Sequence, residues 1–478
     1  MKRKLLACFM AAAFALCALN GCGPTEEPAT QTTLAQEETD ASSETAGQTE
    51  TADTETTETT GTLEEQAAHV AELIDAIYVQ ERTDDTFAAC AAAKEAWDAL
   101  SDEAKEMVEG VYADPDYFGR DTGDASLDDP RNQDDIGENE ILVVSFGTSF
   151  NDSRVKDIKG VEDAIAASYP DWSVRRAFTS QIIINHIQAR DLEFIDNMDQ
   201  AMDRAVNNGV KNLIIQPTHL MHGAEYDELV NTANAYSEKI KNVYISEPLL
   251  GETGADDSAT NNDKEIVAKS ITSAAYTAAG YDSVAAAADD GCAFVFMGHG
   301  TSHKAKVSYS QMQAQMMELG YNNVFIGTVE GEPEETSCED VLNKAAAAGY
   351  KKVILRPLMV VAGDHANNDM AGDDEDSWLS VFKASGNFDS VECQIDGLGS
   401  IDAIQALYVE HTGNAMQGGN ESGENTSSDN DAASLEDGEY MADFITDSTM
   451  FHVNEALDGR GELTVKDGEM TIHVSLAS

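Results

Sequence analysis

A chain of 478 residues with a formal charge of −59 is too long for one hydrophobic core and divides, on ordinary domain sizes, into about two or three domains. That charge excludes recognition of nucleic acid or of an anionic membrane surface by charge, because binding phosphate needs a basic footprint. Cations, or ligands that carry them, are the partners it favours.

The first 22 residues, MKRKLLACFMAAAFALCALNGC, set three basic residues before an apolar stretch too short and wrongly flanked for a membrane span, the pattern of a secretion signal. The ending LNGC resembles the lipobox of bacterial lipoproteins, which implies that Cys22 becomes the lipid-modified first residue. A plain signal peptide with an incidental cysteine is the alternative. The expectation is an exported protein, tethered by Cys22 to the outer face of the cytoplasmic membrane or held in the periplasm, and meeting the membrane through its lipid alone. Beyond this region Cys90, Cys292, Cys338 and Cys393 lie far apart with no CxxC pair, so they read as buried free thiols rather than a zinc site or a disulfide framework.

Residues 23–62 are nearly all Thr, Glu, Ala, Gln, Ser and Asp; with nothing to bury, they are expected to form a disordered acidic linker. From 63 to 113 the pattern turns helical. Val70, Leu73, Ile74 and Ile77 share one face, Ala93, Ala96, Trp97 and Leu100 form a second apolar set, and Ser101 is placed to cap a third helix. This stretch resembles the helical spacer repeats of bacterial surface proteins, which implies structure without chemistry. Residues 114–137 read as a second acidic linker.

Between 138 and 411 apolar strand-like runs alternate with helical stretches, which predicts a parallel α/β fold. The region is duplicated. ILVVSFGTS (141–149) parallels AFVFMGHGTS (293–302), and GVKNLIIQPTHLMHGAEYDE (209–228) parallels GYKKVILRPLMVVAGDHANN (349–368) with Gly209, Pro217 and Gly223 matching Gly349, Pro357 and Gly363. Two similar halves are expected, 138–270 and 271–411, facing each other across a cleft. Residues 412–437 form a further linker. The last segment, 438–478, alternates like strands around Asp-Gly turns and faintly resembles the opening strands of haem-binding NEAT-like modules, so it reads as a partial β-rich module.

The chemistry gathers in the second half. Its expected strands are 293–297, 323–329 and 353–359, neighbours in a flavodoxin-like order, and ligands of open parallel sheets sit beyond the carboxyl ends of the strands. Just beyond these three ends stand His299, Glu330 and His365. Two imidazoles and a carboxylate suit a borderline divalent ion such as Co²⁺ or Fe²⁺ and leave coordination positions open. Each alone has a plainer reading, a hydrogen-bonded loop histidine or a rim carboxylate; their shared position is the argument. By the duplication His299 aligns with Phe146 and His365 with Glu225. The first half thus offers Glu225, His219 and His222, and Phe146 supplies a flat apolar ring for a large planar ligand. Arg175 and Arg176 follow the strand logic as partners for ligand carboxylates, or as exposed strand-end arginines. The acids from Asp369 to Asp376 read equally as an attractor for cations and as a solvated helix start.

Together SFGTSFNDSR, VRRAFTS, QPTHLMHGAEYDE, FMGHGTSH, GTVEGEP and LRPLMVVAGDHANNDMAGDDEDSW resemble the anaerobic, class II sirohydrochlorin cobaltochelatases over about residues 140–410. The resemblance implies a chelatase-like fold of two flavodoxin-like halves, insertion of Co²⁺ into the metal-free tetrapyrrole sirohydrochlorin on the anaerobic route to cobalamin, and Co²⁺ as the substrate metal with Fe²⁺ as a second option. It implies His299 and His365 as active-site histidines, Glu330 as a metal-binding carboxylate and Glu225 as an acidic residue facing them with a catalytic role; Phe146, Arg176 and His219 are expected from their positions as substrate contacts. The segment GETGADDSATNNDKEIVAKS (251–270) is longer than the family pattern. Two rival readings remain at this stage, an exported carrier of tetrapyrrole, haem or metal that has kept the fold, and ferrochelatase activity. A homo-oligomer is compatible with either.

Overall fold

The computed structural model describes residues 61–118 and 123–418, together with the tail strands at 438–443, 452–453, 460–466, 469–473 and 476–477. The expected signal peptide, Cys22 and nearly all of the first linker lie outside the described residues. No described helix is long and apolar enough to cross a membrane.

The duplicated region folds as two parallel four-stranded sheets. The first holds β1 (Asn139–Ser145), β2 (Ser173–Phe178), β3 (Asn212–Pro217) and β4 (Asn242–Ile245) in the order β2-β1-β3-β4. The second holds β5 (Cys292–Gly298), β6 (Val324–Thr328), β7 (Lys352–Pro357) and β8 (Ser390–Cys393) in the order β6-β5-β7-β8. The continuous apolar runs ILVV and AFVFM become central strands because helices cover both faces of such a sheet. Even the register repeats. Val144 pairs with Pro217 and Met297 with Pro357, each two residues before the matching positions Phe146 and His299. The expected α/β architecture and the adjacency of the three site-bearing strands are therefore observed.

The chain ends this region with the helix Asp402–Met416, which follows the second sheet in sequence yet packs on the first. Tyr408 Oη donates to the Thr218 carbonyl (2.9 Å), Thr412 Oγ1 to Gln216 Oε1 (2.8 Å), and Tyr169 Oη to the Val409 carbonyl (2.8 Å). This return ties the two halves together through a shared core.

A second tie passes beside the site. Asp157 of the first half accepts from the Ala362 amide (3.0 Å) while Ser153 Oγ donates to the Ala362 carbonyl (2.6 Å), so both polar groups of one peptide position in the second half are held. Burial pushes the Asp157 carboxyl up to about 7, and its Oδ1 has no hydrogen-bond partner. A folded-state value above the unfolded one, about 3.9, means that the folded protein holds this proton more tightly. The contribution to stability is present at low pH and is lost as pH rises from about 4 to about 7. Asp157→Asn keeps an acceptor for Ala362 and removes the buried charge. It should raise the melting temperature at pH 8 by roughly 2–4 °C, as about 1 kcal/mol would, and change little at pH 4.5; an equal shift at both values would contradict the assignment to this ionisation.

The N-terminal helices are built as the pattern predicts. Thr62 and Glu65 form a capping box on Leu63–Ile77, which buries Val70, Ile74 and Ile77, and Ser101 Oγ accepts from the Ala104 amide (3.2 Å). They dock on the helix Gln181–Asp191. Asn185 Nδ2 donates to the Ile77 carbonyl (2.9 Å) and Tyr117 stacks on His186 at 4.2 Å. Part of the expected second linker also packs, since the Asp128 side chain is buried between Arg154 and Arg176. In the tail, the strands Gly438–Asp443, Arg460–Lys466 and Glu469–His473 form an antiparallel sheet with Arg460–Lys466 central, and His452–Val453 pairs with Leu476–Ala477. The four cysteines described are free, and Cys90 and Cys292 are buried.

Candidate active site

The end of β5 and the loop after β7 bring two imidazoles together. His299 and His365 lie edge to face with ring centroids 4.6 Å apart. His299 follows the last residue of β5, and its chain then turns sharply at Gly300, whose φ of +95° falls in the left-handed region. A Cβ there would lie 2.8 Å from Glu330 Cβ, so only glycine lets the loops after β5 and β6 approach this closely. The Gly300 amide donates to Tyr309 Oη (3.1 Å), and the Glu330 amide donates to the His299 carbonyl (2.9 Å).

Both rings are oriented through Nδ1. His299 Nδ1–H faces the Gly300 carbonyl at 2.8 Å, and His365 Nδ1–H faces Asp369 Oδ2 at 2.6 Å. With Nδ1 donating, the lone pair sits on Nε2 of each ring, the tautomer that a metal or a proton donor requires. The turn Ala366–Met370 is π-helical, which carries Asp369 beneath His365.

Their protonation differs. Desolvation by its neighbours, then the charge of nearby His365, hold His299 below the usual imidazole value. Burial works against charge on His365 too, but the hydrogen bond and field of Asp369, joined by Asp364 and Glu330, outweigh it and hold this ring above the usual value. The two rings thus differ in proton affinity, His299 holding a second proton less tightly than a free imidazole and His365 more tightly.

Glu330 stands near enough to act on both rings through its field. Among the described residues the donor groups that converge within 4.8 Å are Asp364, His365 and Asp369, and separately His222, Glu247 and Glu252. The set His299, Glu330 and His365 is adjacent but not gathered to that degree.

On the first half, the loop after β3 carries His219, and the first turn of the helix Ala224–Ala235 that follows carries Glu225. His219 is buried, neither of its ring nitrogens has a hydrogen-bond partner, and burial pulls it down to about 4, so it is a neutral imidazole. Its Nε2 lies 3.5 Å from Glu225 Oε2. The Glu225 side chain is 49% exposed, and desolvation by the atoms around it, then the charge of nearby Glu228, push its carboxyl up to about 7. Glu225 also acts electrostatically on Tyr309, the residue that holds Gly300. The carboxyl and the histidine pair therefore belong to one neighbourhood. Thr148, just past Phe146, meets the same neighbourhood, since a Cβ on Gly363 would lie 3.2 Å from Thr148 Oγ1. Phe146 itself is half-buried.

Arg176 is a correction to the expectation from sequence. It lies within β2 rather than beyond it, is fully buried, and spends its guanidinium on Glu162 (Nε to Oε1, 2.7 Å) and Asp128 (Nη1 to Oδ2, 2.6 Å), leaving nothing for a ligand carboxylate. Arg175 is buried likewise against Glu140 (2.9 Å) and the Ala201 carbonyl (2.7 Å). Alternation in a strand buried on both faces puts both side chains inside, which the sequence pattern VRRAF does not reveal. The sequence reading in turn missed the support given by Asp369, Tyr309 and Asp157. Only the first carried a signal, the four-residue spacing from His365 on a helical turn.

Known proteins resemble this chain over the same region. A family model described as cobalt chelatase (CbiK) matches residues 139–417. The sirohydrochlorin cobaltochelatase of Salmonella typhimurium is 35% identical over 276 residues, covering 58% of this chain and 96% of that protein. The sirohydrochlorin cobaltochelatase CbiKC of Nitratidesulfovibrio vulgaris is 31% identical over 248 residues, covering 52% and 80%. Among solved structures, SirB from Bacillus subtilis with Fe3+ aligns at a TM-score of 0.39 and 14% identity, over 58% of this chain and 96% of that one.

Proposed function

The chain belongs to the cobalt chelatase (CbiK) family, and from that premise we propose how its cleft inserts Co²⁺ into sirohydrochlorin. The enzyme is a metal chelatase, and cobalt is its substrate. The observation that carries the assignment of roles is the His299–His365 pair, with both Nδ1 atoms engaged and both Nε2 atoms left for chemistry.

Insertion of a divalent ion into a free-base tetrapyrrole releases two pyrrole protons, so the site needs acceptors as well as a metal donor. His299, with its free Nε2, is the general base for a pyrrole N–H. His365 presents the ion, and its raised proton affinity makes metal capture compete with protonation, since only the neutral ring binds. Glu330 adds negative charge behind the pair. Across the cleft, Glu225, with a carboxyl poised at about 7, takes up the second proton, and His219 stays neutral beside it. Phe146 supplies the apolar surface for the macrocycle.

The N-terminal pattern MKRK, an apolar stretch and LNGC supports an exported form anchored through lipid on Cys22 at the outer face of the cytoplasmic membrane. That location motivates a second reading, a carrier that binds tetrapyrrole and metal without turnover. The full chain mixed with a large excess of sirohydrochlorin and Co²⁺ separates the two. Loss of the free-base absorption over many equivalents is the result expected of the enzyme, and a spectral change that stops at one equivalent per chain would favour the carrier. Fe²⁺ in a parallel mixture compares the metals.

A further inference from the structure

We propose that His222, Glu247 and Glu252 form a second divalent-metal site on the first half, separate from the histidine pair. Each offers one ligand atom, and these atoms lie within 4.8 Å of one another. The three residues come from different places in the chain: the loop after β3, the end of β4, and the long segment that departs from the family pattern. One imidazole nitrogen with two carboxylates is the donor set of a borderline ion such as Co²⁺ or Zn²⁺, with water filling the remaining positions.

Two of the donors and the backbone of the third are positioned by contacts within the chain. The His222 ring rests edge-on against Tyr226, centroids 4.4 Å apart, and its Nε2 lies 2.7 Å from Glu247 Oε2. The Glu247 carbonyl accepts from Gln216 Nε2 (3.3 Å) and faces His411 Nδ1 (3.2 Å). The Glu252 carbonyl accepts from Lys264 Nζ (2.7 Å) and Asn261 Nδ2 (3.1 Å), which pins its loop. Backbone held in place behind Glu247 and Glu252 is what a metal site requires.

Charge gives the second reason. Two carboxylates within 4.8 Å repel one another unless a cation lies between them. The nearby ammonium of Lys264 is buried and donates to the carbonyls of Leu250 (3.0 Å) and Glu252 instead. The Glu252 carboxylate makes no hydrogen bond among the described residues. A His222–Glu247 ion pair alone would account for two of the three groups and leave Glu252 facing Glu247 without reason.

Co²⁺ titrated into the full chain, without tetrapyrrole, tests this by calorimetry or equilibrium dialysis. Glu252→Gln changes an exposed side chain and should leave circular dichroism unaltered. Glu252→Gln and His222→Ala should each lose the same one equivalent of Co²⁺, or weaken it at least tenfold, and that equivalent should persist in His365→Ala. Binding in Glu252→Gln and His222→Ala equal to that of the unsubstituted chain overturns the site. Loss of that equivalent in His365→Ala overturns its independence from the catalytic pair. Turnover measured on the same samples reports separately on the role of the pair.

Discussion

His299→Ala should lower the rate of cobalt insertion by at least about 10²-fold, the contribution typical of a positioned general base, with the unfolding transition nearly unchanged. The small stability cost follows from position. His299 is exposed beyond the end of β5, and among the described residues its ring's one hydrogen bond is to the adjacent Gly300 carbonyl. The strand behind it keeps its core of Phe294, Val295, Phe296 and Met297, all fully buried. The rate loss follows from what no neighbour can replace. His365 is biased toward its protonated form by Asp369, and Glu225 comes from the other half. A variant that turns over normally under saturating sirohydrochlorin and Co²⁺ would remove His299 from the mechanism. A variant in which rate and unfolding midpoint fall together would make it structural.

Arg176→Ala should cost about 3–5 kcal/mol of folding stability, the penalty for leaving one side of a buried ion network without its partner. The guanidinium takes Glu162 with Nε and Nη2, at 2.7 and 2.8 Å, and Asp128 with Nη1 and Nη2, at 2.6 and 2.9 Å. Two forked pairs are the strong geometry for arginine. Asp128 is in turn shared with Arg154 (2.6 Å), so its loss of one cation also loosens the stretch before β1. Asp128 stays below the ordinary carboxylate value because these arginines outweigh its burial. Urea unfolding gives the stability. A variant of unchanged stability but raised KM for the tetrapyrrole would restore the ligand-binding role read from sequence.

The sequence carried the fold legibly because the signals were local and repeated. Apolar runs of four or five residues, alternation with helices, and glycine and proline at matched offsets in two places are enough for two similar parallel α/β halves. The same repetition placed His299, Glu330 and His365 after neighbouring strands, since a strand's end is visible in sequence and ligand sites follow strand ends. Ser101 as a cap and the face of Val70, Ile74 and Ile77 were equally local.

What failed was nonlocal. VRRAF reads as a pair of exposed cations, because buried arginines occur only where carboxylates come to meet them, and here those arrive from Asp128, Glu140 and Glu162 in three other segments. The helix Asp402–Met416 has no sequence mark that sends it back to the first sheet; packing of Tyr408 and Thr412 decides that. The acids after Gly363 looked uniform as letters, yet a π-helical turn selects Asp369 as the partner of His365 and leaves Asp373 to Asp376 without such a role. By itself, then, the sequence determined which residue types stand at which strand ends, since periodicity and turn chemistry are written along the chain. Tertiary structure alone decided which charges are buried against each other, which proton each histidine holds, and which donors converge, since desolvation and Coulomb energy depend on distances between segments that the chain order does not encode.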